Sequence, residues 1–297
     1  MNVITGQTIG FIGLGLMGIP MCRNLRKEGG QLVVTNRSEG PRLKMQQEGV
    51  TAVDTPAAVA ERSGIIICMV ASTPALESVL LGGDGVLDAL RPGTLLIDMG
   101  TTSMTATREF AKAVEEKGGF YVDAPVSGGT IGAAAGNLTI MAGGSDSAFG
   151  RALPLLEVLG ERITHVGDTG AGQVAKAANQ VIVGLNIGAV AEALALAKAA
   201  GVDPGKVREA LRGGFADSRI LEVHGKRMVD GDFTPGAKST IQRKDMAQAL
   251  DLAAGFQLEM PATSLSRDLY DKLIASGGSD LDHAALFKII DKSNFLT

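Results

Sequence analysis

The segment Gly13-Leu14-Gly15-Leu16-Met17-Gly18 constrains the fold of this chain more than any other. It follows an apolar run, Ile9–Gly13, that reads as a β-strand, and it opens a helical pattern over Met17–Glu28. Three glycines at that spacing, between a strand and a helix, have a physical logic. The first makes the tight turn, the second lets a pyrophosphate approach the backbone, and the third lets helix and strand pack closely. The helix N-terminus adds unpaired N–H groups and the positive end of its dipole, which suit phosphate. Gly13, Gly15, Leu16, Met17 and Gly18 are therefore candidate dinucleotide-binding residues.

The rest of the first half extends this start. Leu32–Thr35, Ile65–Val70, Leu95–Asp98 and Tyr121–Ala124 read as further strands, brief and rich in β-branched residues. Arg42–Glu48, Pro56–Glu61, Pro74–Leu80 and Thr105–Lys117 read as helices between them. Thr55-Pro56 and Thr73-Pro74 each read as an N-cap followed by a first-turn proline. Near-continuous apolar strands alternating with helices predict a parallel sheet covered on both faces, a Rossmann-like doubly wound α/β fold. Asn137–Ala142 is expected to add an edge strand.

The second half changes character. From Gly172 to Ala200 the pattern is strongly helical and almost uncharged in its middle, which predicts a helix buried on nearly all sides. Asp203-Pro204 reads as the cap and first position of the next helix. Beyond it only helices are expected: Pro204–Arg212, Leu221–Val229, Lys244–Ala254, Ala262–Ile274 and His283–Ile290. A chain of 297 residues accommodates two domains of about 100–200 residues each. The expected division is a dinucleotide-binding domain over 1–166 and an all-helical C-terminal domain over 167–297 that includes the long interdomain helix.

Composition removes other classes. The net charge is −4, and Lys and Arg are scattered rather than clustered, which argues against nucleic acid and anionic membrane as partners. Cys22 and Cys68 both sit in apolar surroundings, so neither a disulfide framework nor a cysteine zinc site is expected. His165, His224 and His283 form no metal-binding spacing in the sequence, and no metal is expected. Residues 1–22 carry no charge, but they lack a positive n-region and are broken by glycines, so they do not read as a signal peptide. Ala177–Ala191 is uncharged but too short to span a bilayer. A cytoplasmic protein is the expectation.

Residues with chemistry to offer fall near the expected strand ends. Asn36-Arg37 follows the second strand, where an NAD site usually has Asp or Glu for the ribose 2′-hydroxyl. An Arg there suits a 2′-phosphate, which favours NADP, with NAD possible. Met69-Val70 and Gly100-Thr101-Thr102 follow later strands and should border the same ligand. In Asp123-Ala124-Pro125-Val126-Ser127-Gly128-Gly129, Ser127 offers a hydroxyl, and the N–H groups of Gly128 and Gly129 can form an anion nest for a small carboxylate. Lys176, early in the long apolar helix, shares a face with Asn179 and Gln180 at i+3 and i+4. A lysine desolvated beside a ligand can act as a general acid or base, whereas a snorkelling lysine would have no such part.

Taken together these residues resemble the β-hydroxyacid dehydrogenase family over nearly the whole chain. The resemblance rests on the Gly13–Gly18 loop running into Pro20-Met21 and Asn24-Leu25, Asp98-Met99 with Thr101, Asp123–Gly129, Gly170–Gln180 and Lys244-Asp245. It implies hydride transfer between a nicotinamide cofactor and a small semialdehyde or 3-hydroxy acid. It implies that Lys176 is the catalytic acid/base, and that Ser127, Gly128, Gly129 and Asn179 hold the substrate. It further implies that Thr101 and Lys244 contact the cofactor. Gly213–Gly225, Phe233–Gly236 and Leu281–Leu286 are similar to members that reduce tartronate semialdehyde to glycerate. Gly132–Leu138 leans equally toward members that oxidise 3-hydroxyisobutyrate. Three positions depart from the family pattern: Asn36 for Asp, Ala71 for Pro and Gly100 for Ser. The long apolar helix and helical second half predict a homo-oligomer, a homodimer or homotetramer.

Overall fold

The computed structural model of the chain describes residues 4–291. The chain divides into two compact units, one running through Lys176 and the other starting at Ala177. The division falls inside a helix, ten residues past the expected change of character at 166.

The first unit begins β1 (Thr8–Ile12), α1 (Gly18–Lys27), β2 (Gln31–Thr35), α2 (Glu39–Gln47), β3 (Thr51–Ala52), α3 (Pro56–Ala60) and β4 (Ile65–Cys68). It continues through α4 (Thr73–Leu81), α5 (Val86–Ala89), β5 (Leu95–Asp98), α6 (Met104–Glu116), β6 (Phe120–Asp123) and β7 (Val126–Ser127). Then come α7 (Gly129–Ala135), β8 (Leu138–Gly143), α8 (Asp146–Leu159), β9 (Gly160–Gly167) and the start of α9 (Ala171–Ala199). The strand order is β3-β2-β1-β4-β5-β6-β8-β7, with β9 paired to β8. All pairs from β3 to β6 are parallel, and the order reverses between β1 and β4, as in a doubly wound sheet.

The central strands β1, β2, β4 and β5 are largely apolar because both faces are covered. Ile9, Phe11, Val34, Ile67 and Ile97 bury into one cluster with Met21 and Leu25 of α1. Ile12, Val33, Ile66, Cys68 and Leu96 bury into another with Val59, Leu76, Phe110 and Val114. Period-two alternation between the clusters places a helix layer on each face. Asn137–Ala142 was expected at an edge. It is instead β8, an interior strand antiparallel to β6 and β7 and parallel to β9. Thr55 caps α3 as expected, accepting from Ala58 N–H at 3.1 Å. In α4 the cap is Ser72 rather than Thr73. The Thr73 hydroxyl instead accepts from Ser103 N–H at 3.0 Å.

The second unit is helical. It holds the rest of α9, then α10 (Pro204–Leu211), α11 (Arg219–Asp230), α12 (Ser239–Ala254), α13 (Pro261–Leu273), a 3₁₀ turn over His283–Leu286 and α14 (Phe287–Ile290). Asp203 caps α10 through Gly205 N–H at 2.8 Å. Ile187, Ala191 and Leu194 of α9 pack with Leu221, Met228, Met246, Tyr270 and Leu286. Gly184 lets α12 approach α9, since a Cβ there would stand 2.6 Å from Met246 Sδ. By length and composition α9 would pass for a membrane span, but these residues form the core of a helical unit. The helix is not buried on all sides, as its pattern suggested: Val174, Ile182 and Leu196 remain exposed.

Candidate active site

Register brings the strand ends level. Ile12 pairs with Thr35 and Cys68, Cys68 with Asp98, and Asp98 with Asp123. The ladder runs one residue further through Gly13 N–H to Thr35 O, Met69 N–H to Ile12 O, Met99 N–H to Cys68 O and Ala124 N–H to Asp98 O, at 2.7–3.1 Å. This carboxyl edge is where an open α/β sheet binds its ligand. Asn36-Arg37, the 13–18 loop, Met69-Val70, Gly100-Thr101 and residues 127–129 all leave the sheet from it.

The glycine loop fits a dinucleotide position by position. Gly13 has φ +106°, and a Cβ on it would lie 2.3 Å from Met69 O. A Cβ on Gly15 would meet nothing within 4 Å, so the space over the turn is open to a phosphate. A Cβ on Gly18 would overlap Gly13 O. No side chain caps α1. Ile19 N–H donates to Gly15 O at 3.2 Å and Pro20 has no N–H, so what this end offers an anion is chiefly the positive end of the helix dipole. Leu16 is exposed and Met17 half-buried on this loop. Asn36 Oδ1 accepts from Leu14 N–H at 2.9 Å, and Asn36 Nδ2 donates to Ser38 O at 3.1 Å. Arg37, next along, is exposed.

Thr101 is half-buried beside Gly100. A Cβ on Gly100 would lie 2.5 Å from Val70 O, so glycine at this position allows the loops after β4 and β5 to touch. Gly128 and Gly129 have φ of +132° and +60° and are exposed, next to half-buried Ser127. Lys176 is only 7 % exposed. Its Nζ donates to Val126 O at 2.8 Å, beside Ser127.

The start of α9 is seated on two buried carboxylates. Asp123 accepts from Gly170 N–H at 2.8 Å and Gln173 N–H at 2.9 Å. Asp98 accepts from Gly100 N–H at 2.9 Å and from the Thr102 hydroxyl at 2.8 Å. Burial pushes Asp98 up to about 7, against the pull of its Thr102 and Gly100 hydrogen bonds, and the neighbouring Asp123 adds to the rise. Burial also raises Asp123, against the amides of Gly170 and Gln173. Gly172 makes the seat possible, since a Cβ there would lie 2.4 Å from Met141 O. Asp98 and Gln173 carried no expected role, and Thr102, expected to border the ligand, instead bonds Asp98 and Gln173. The signal for the acid was present, because a carboxylate closing a buried apolar strand needs partners.

The remaining candidates lie in the second unit. Asn179 stands one turn after Lys176 on α9, and its Oδ1 is buried with no hydrogen-bond partner among the described residues. Gln180 Nε2 donates to Asp245 Oδ2 at 2.7 Å. Lys244 pairs with Asp245 at 2.9 Å. Both lie within α12, which starts five residues earlier than the helix expected from Lys244. The sequence spacing of the histidines predicts no metal site, yet the fold brings two of them together. His224 Nε2 and His283 Nε2 are 3.2 Å apart, and with Asp282 they offer ligand atoms within 4.8 Å of one another. Asp282 already accepts from Gly236, Ala237 and Ala284 N–H. Burial acts to raise its carboxyl, but His224, His283 and these amides hold it well below the usual range.

Comparison with known proteins finds relatives over nearly the whole chain. Residues 8–167 match the family described as the NAD-binding domain of 6-phosphogluconate dehydrogenase. Residues 170–290 match the family described as NAD-binding of NADP-dependent 3-hydroxyisobutyrate dehydrogenase. The chain is 49 % identical to the 2-hydroxy-3-oxopropionate reductase of Escherichia coli K12, over 95 % of this chain and 97 % of that protein. It is 38 % identical to the 2-(hydroxymethyl)glutarate dehydrogenase of Eubacterium barkeri, over 95 % and 94 %. Among solved structures it superposes on a 3-hydroxyisobutyrate dehydrogenase from Mycobacterium tuberculosis, crystallised with L-serine. There the TM-score is 0.87 and the identity 31 %, over 95 % of this chain and 98 % of that one.

Proposed function

The chain belongs to the β-hydroxyacid dehydrogenase family, and from that premise we propose that it reduces tartronate semialdehyde to glycerate with a nicotinamide cofactor. The observation that carries the site assignment is Lys176: a buried ammonium held at 2.8 Å on Val126 O, beside Ser127 and the two glycines of positive φ. A buried ammonium is costly unless it is paired or used.

The cofactor, when bound, supplies or accepts the hydride at the substrate's C3. Gly13, Gly15, Leu16, Met17 and Gly18 would hold its pyrophosphate, and Met69, Val70 and Thr101 its nicotinamide end. In reduction, Lys176 donates a hydrogen bond to the aldehyde oxygen and gives it the proton, leaving a neutral amine. In oxidation the neutral amine takes the hydroxyl proton. Ser127 and the N–H groups of Gly128 and Gly129 fix the carboxylate. Asn179 accepts from the substrate hydroxyl; its buried Oδ1, without a hydrogen-bond partner among the described residues, supports that role. Lys244 keeps the cofactor-binding role that the resemblance gives it.

The cofactor is proposed to be NADP. Asn36 spends its acceptor on Leu14 N–H, and no carboxylate stands there for a ribose diol, while Arg37 is exposed beside it. A second reading, oxidation of 3-hydroxyisobutyrate, is supported by the match over residues 170–290. Exposed Ile182, Leu196 and Leu265 support a homodimer or homotetramer. Two buried free cysteines suit a reducing cytoplasm. The division into domains at 1–166 and 167–297 is retained as a functional boundary, since the sheet ends at Gly167. Initial rates with a panel of short semialdehydes and hydroxy acids, each with NADPH and NADH or their oxidised forms, test the reading. No turnover of any of them would overturn it.

A further inference from the structure

We propose that Gln173, one turn before Lys176 on α9, is the positioning residue that sets Lys176 against the cofactor edge of the sheet. The inference rests on reading Lys176 as the proton donor. Gln173 is 3 % exposed. Its backbone N–H donates to Asp123 Oδ2 at 2.9 Å, at the end of β6. Its Oε1 accepts from Thr102 N–H at 3.0 Å, and its Nε2 donates to Gly100 O at 3.0 Å, both in the loop after β5. The same Nε2 lies 3.4 Å from Asp98 Oδ2. One side chain thus grips the backbone on both sides of Thr101 while its own amide is tied to the neighbouring strand.

The residue type follows from the chemistry. A primary amide offers an acceptor and a donor side by side at that reach whatever the pH. An ionised glutamate would lose the donor and place a third carboxyl beside Asp98 and Asp123. An aliphatic chain would leave Thr102 N–H and Gly100 O unpaired in a buried setting, which is unfavourable.

The consequence for Lys176 is geometric. Gln173 and Lys176 are three residues apart on one helix, so they lie about 4.5 Å apart along its axis. Lys176 Nζ is tied to Val126, three residues after the Asp123 that receives Gln173 N–H. The helix turn bearing the proton donor, the run carrying Ser127 and the loop carrying Thr101 are therefore clamped through Gln173 and Asp123. A shift of about 1 Å in such a constellation costs on the order of 100-fold in rate.

The test compares wild type with Gln173→Met and Gln173→Glu. For Gln173→Met the expected result is a kcat lower by about 10–100-fold, with the cofactor KM within about threefold of wild type. The solvent deuterium isotope effect on kcat should rise, because proton delivery becomes limiting; a loss of folded protein alone would not change it. In ligand-free protein, competitive acetylation of Lys176, read by mass spectrometry, should increase severalfold. Gln173→Glu, which keeps the acceptor for Thr102 N–H, provides the same readouts should the Met variant not fold. Its protonated form can donate, so its kcat should recover toward wild type as pH falls, while the carboxyls of Asp98 and Asp123 oppose its ionisation. Unchanged kcat, isotope effect and acetylation in a folded variant would overturn the inference. Lys176→Ala, measured alongside, separates the two claims. If it keeps its kcat, the proton-donor reading fails and this one with it. If it loses kcat while both Gln173 variants behave as wild type, the positioning claim alone fails.

Discussion

Asn36 Oδ1 accepts the backbone N–H of Leu14 at 2.9 Å, so the residue after β2 braces the glycine loop rather than facing outward as an acceptor. The bond joins the two places on the edge where a dinucleotide's adenosine half and its pyrophosphate are bound. An Asp could make the same bond and still offer a second oxygen to a ribose diol. Asn offers an N–H there instead, already given to Ser38 O. On the proposed reading, the choice of cofactor then rests on Arg37.

Arg37→Asp is expected to weaken NADP binding by about 2 kcal/mol or more, close to 30-fold, as for loss of a charge-assisted contact. NAD binding should change far less. Calorimetric titration of both cofactors into both proteins checks this. Equal losses, or a wild type that already prefers NADH, would refute the role of Arg37.

Lys176→Ala is expected to lower kcat by about 10²–10⁴-fold, the usual worth of a positioned acid or base. Cofactor affinity should stay close to wild type, since the proposed cofactor contacts lie on the 13–18 loop and the strand ends. Steady-state kinetics paired with cofactor fluorescence titration separates the two quantities. A near-normal kcat would remove Lys176 from the chemistry.

How far the sequence revealed this site depends on distance along the chain. The glycine loop was legible because its three roles lie within six residues. Lys176 stood out because a charge early in an apolar helix is anomalous, while its proposed role came from the family resemblance. Gln173 was not, because its side-chain partners Thr102 and Asp98 lie 71 and 75 residues away. The same holds for His224 and His283, 59 residues apart in sequence and in contact in the fold. β1, β2, β4, β5 and β6 were read within two residues of their ends, since burial on both faces leaves a continuous apolar run. β3, β7 and β9 were not read: the first two are two residues long, and β9 alternates polar and apolar residues with Glu161, Arg162 and His165 among them.

Asp98 makes a stability prediction with a definite sign. Burial first, then the nearby Asp123, raise its carboxyl from 3.8 to about 7 in the folded protein, with Thr102 and Gly100 opposing. Between those values the folded chain holds a proton that the unfolded chain has released. Stability from this group is therefore fully present below the unfolded value and declines as pH rises toward about 7. Asp123 is raised as well and pushes the same way. Urea midpoints measured from about pH 5 to about pH 8 should fall for wild type and fall less steeply for Asp98→Asn, which has no proton to lose. Equal slopes for the two proteins would show that Asp98 does not titrate in that window.

Substrate choice is the sharpest test of the proposed activity. Tartronate semialdehyde carries a hydroxyl at C2 where methylmalonate semialdehyde carries a methyl. A site that hydrogen-bonds the hydroxyl leaves buried polar groups unpaired when the methyl compound binds, and so discriminates strongly. An apolar pocket separates the two only modestly. The buried Asn179 Oδ1, with no partner among the described residues, is an acceptor suited to such a hydroxyl, and Ser127 adds a second polar group on the carboxyl edge. The expected kcat/KM for tartronate semialdehyde exceeds that for methylmalonate semialdehyde by at least about tenfold, or about 1.4 kcal/mol of transition-state discrimination. Asn179→Leu should shrink that ratio, because it removes the acceptor while keeping the bulk. Side-by-side initial rates with NADPH and NADH, for wild type and variant, decide the matter. A wild type that prefers the methyl compound would move the assignment to 3-hydroxyisobutyrate oxidation and leave the role of Lys176 untouched.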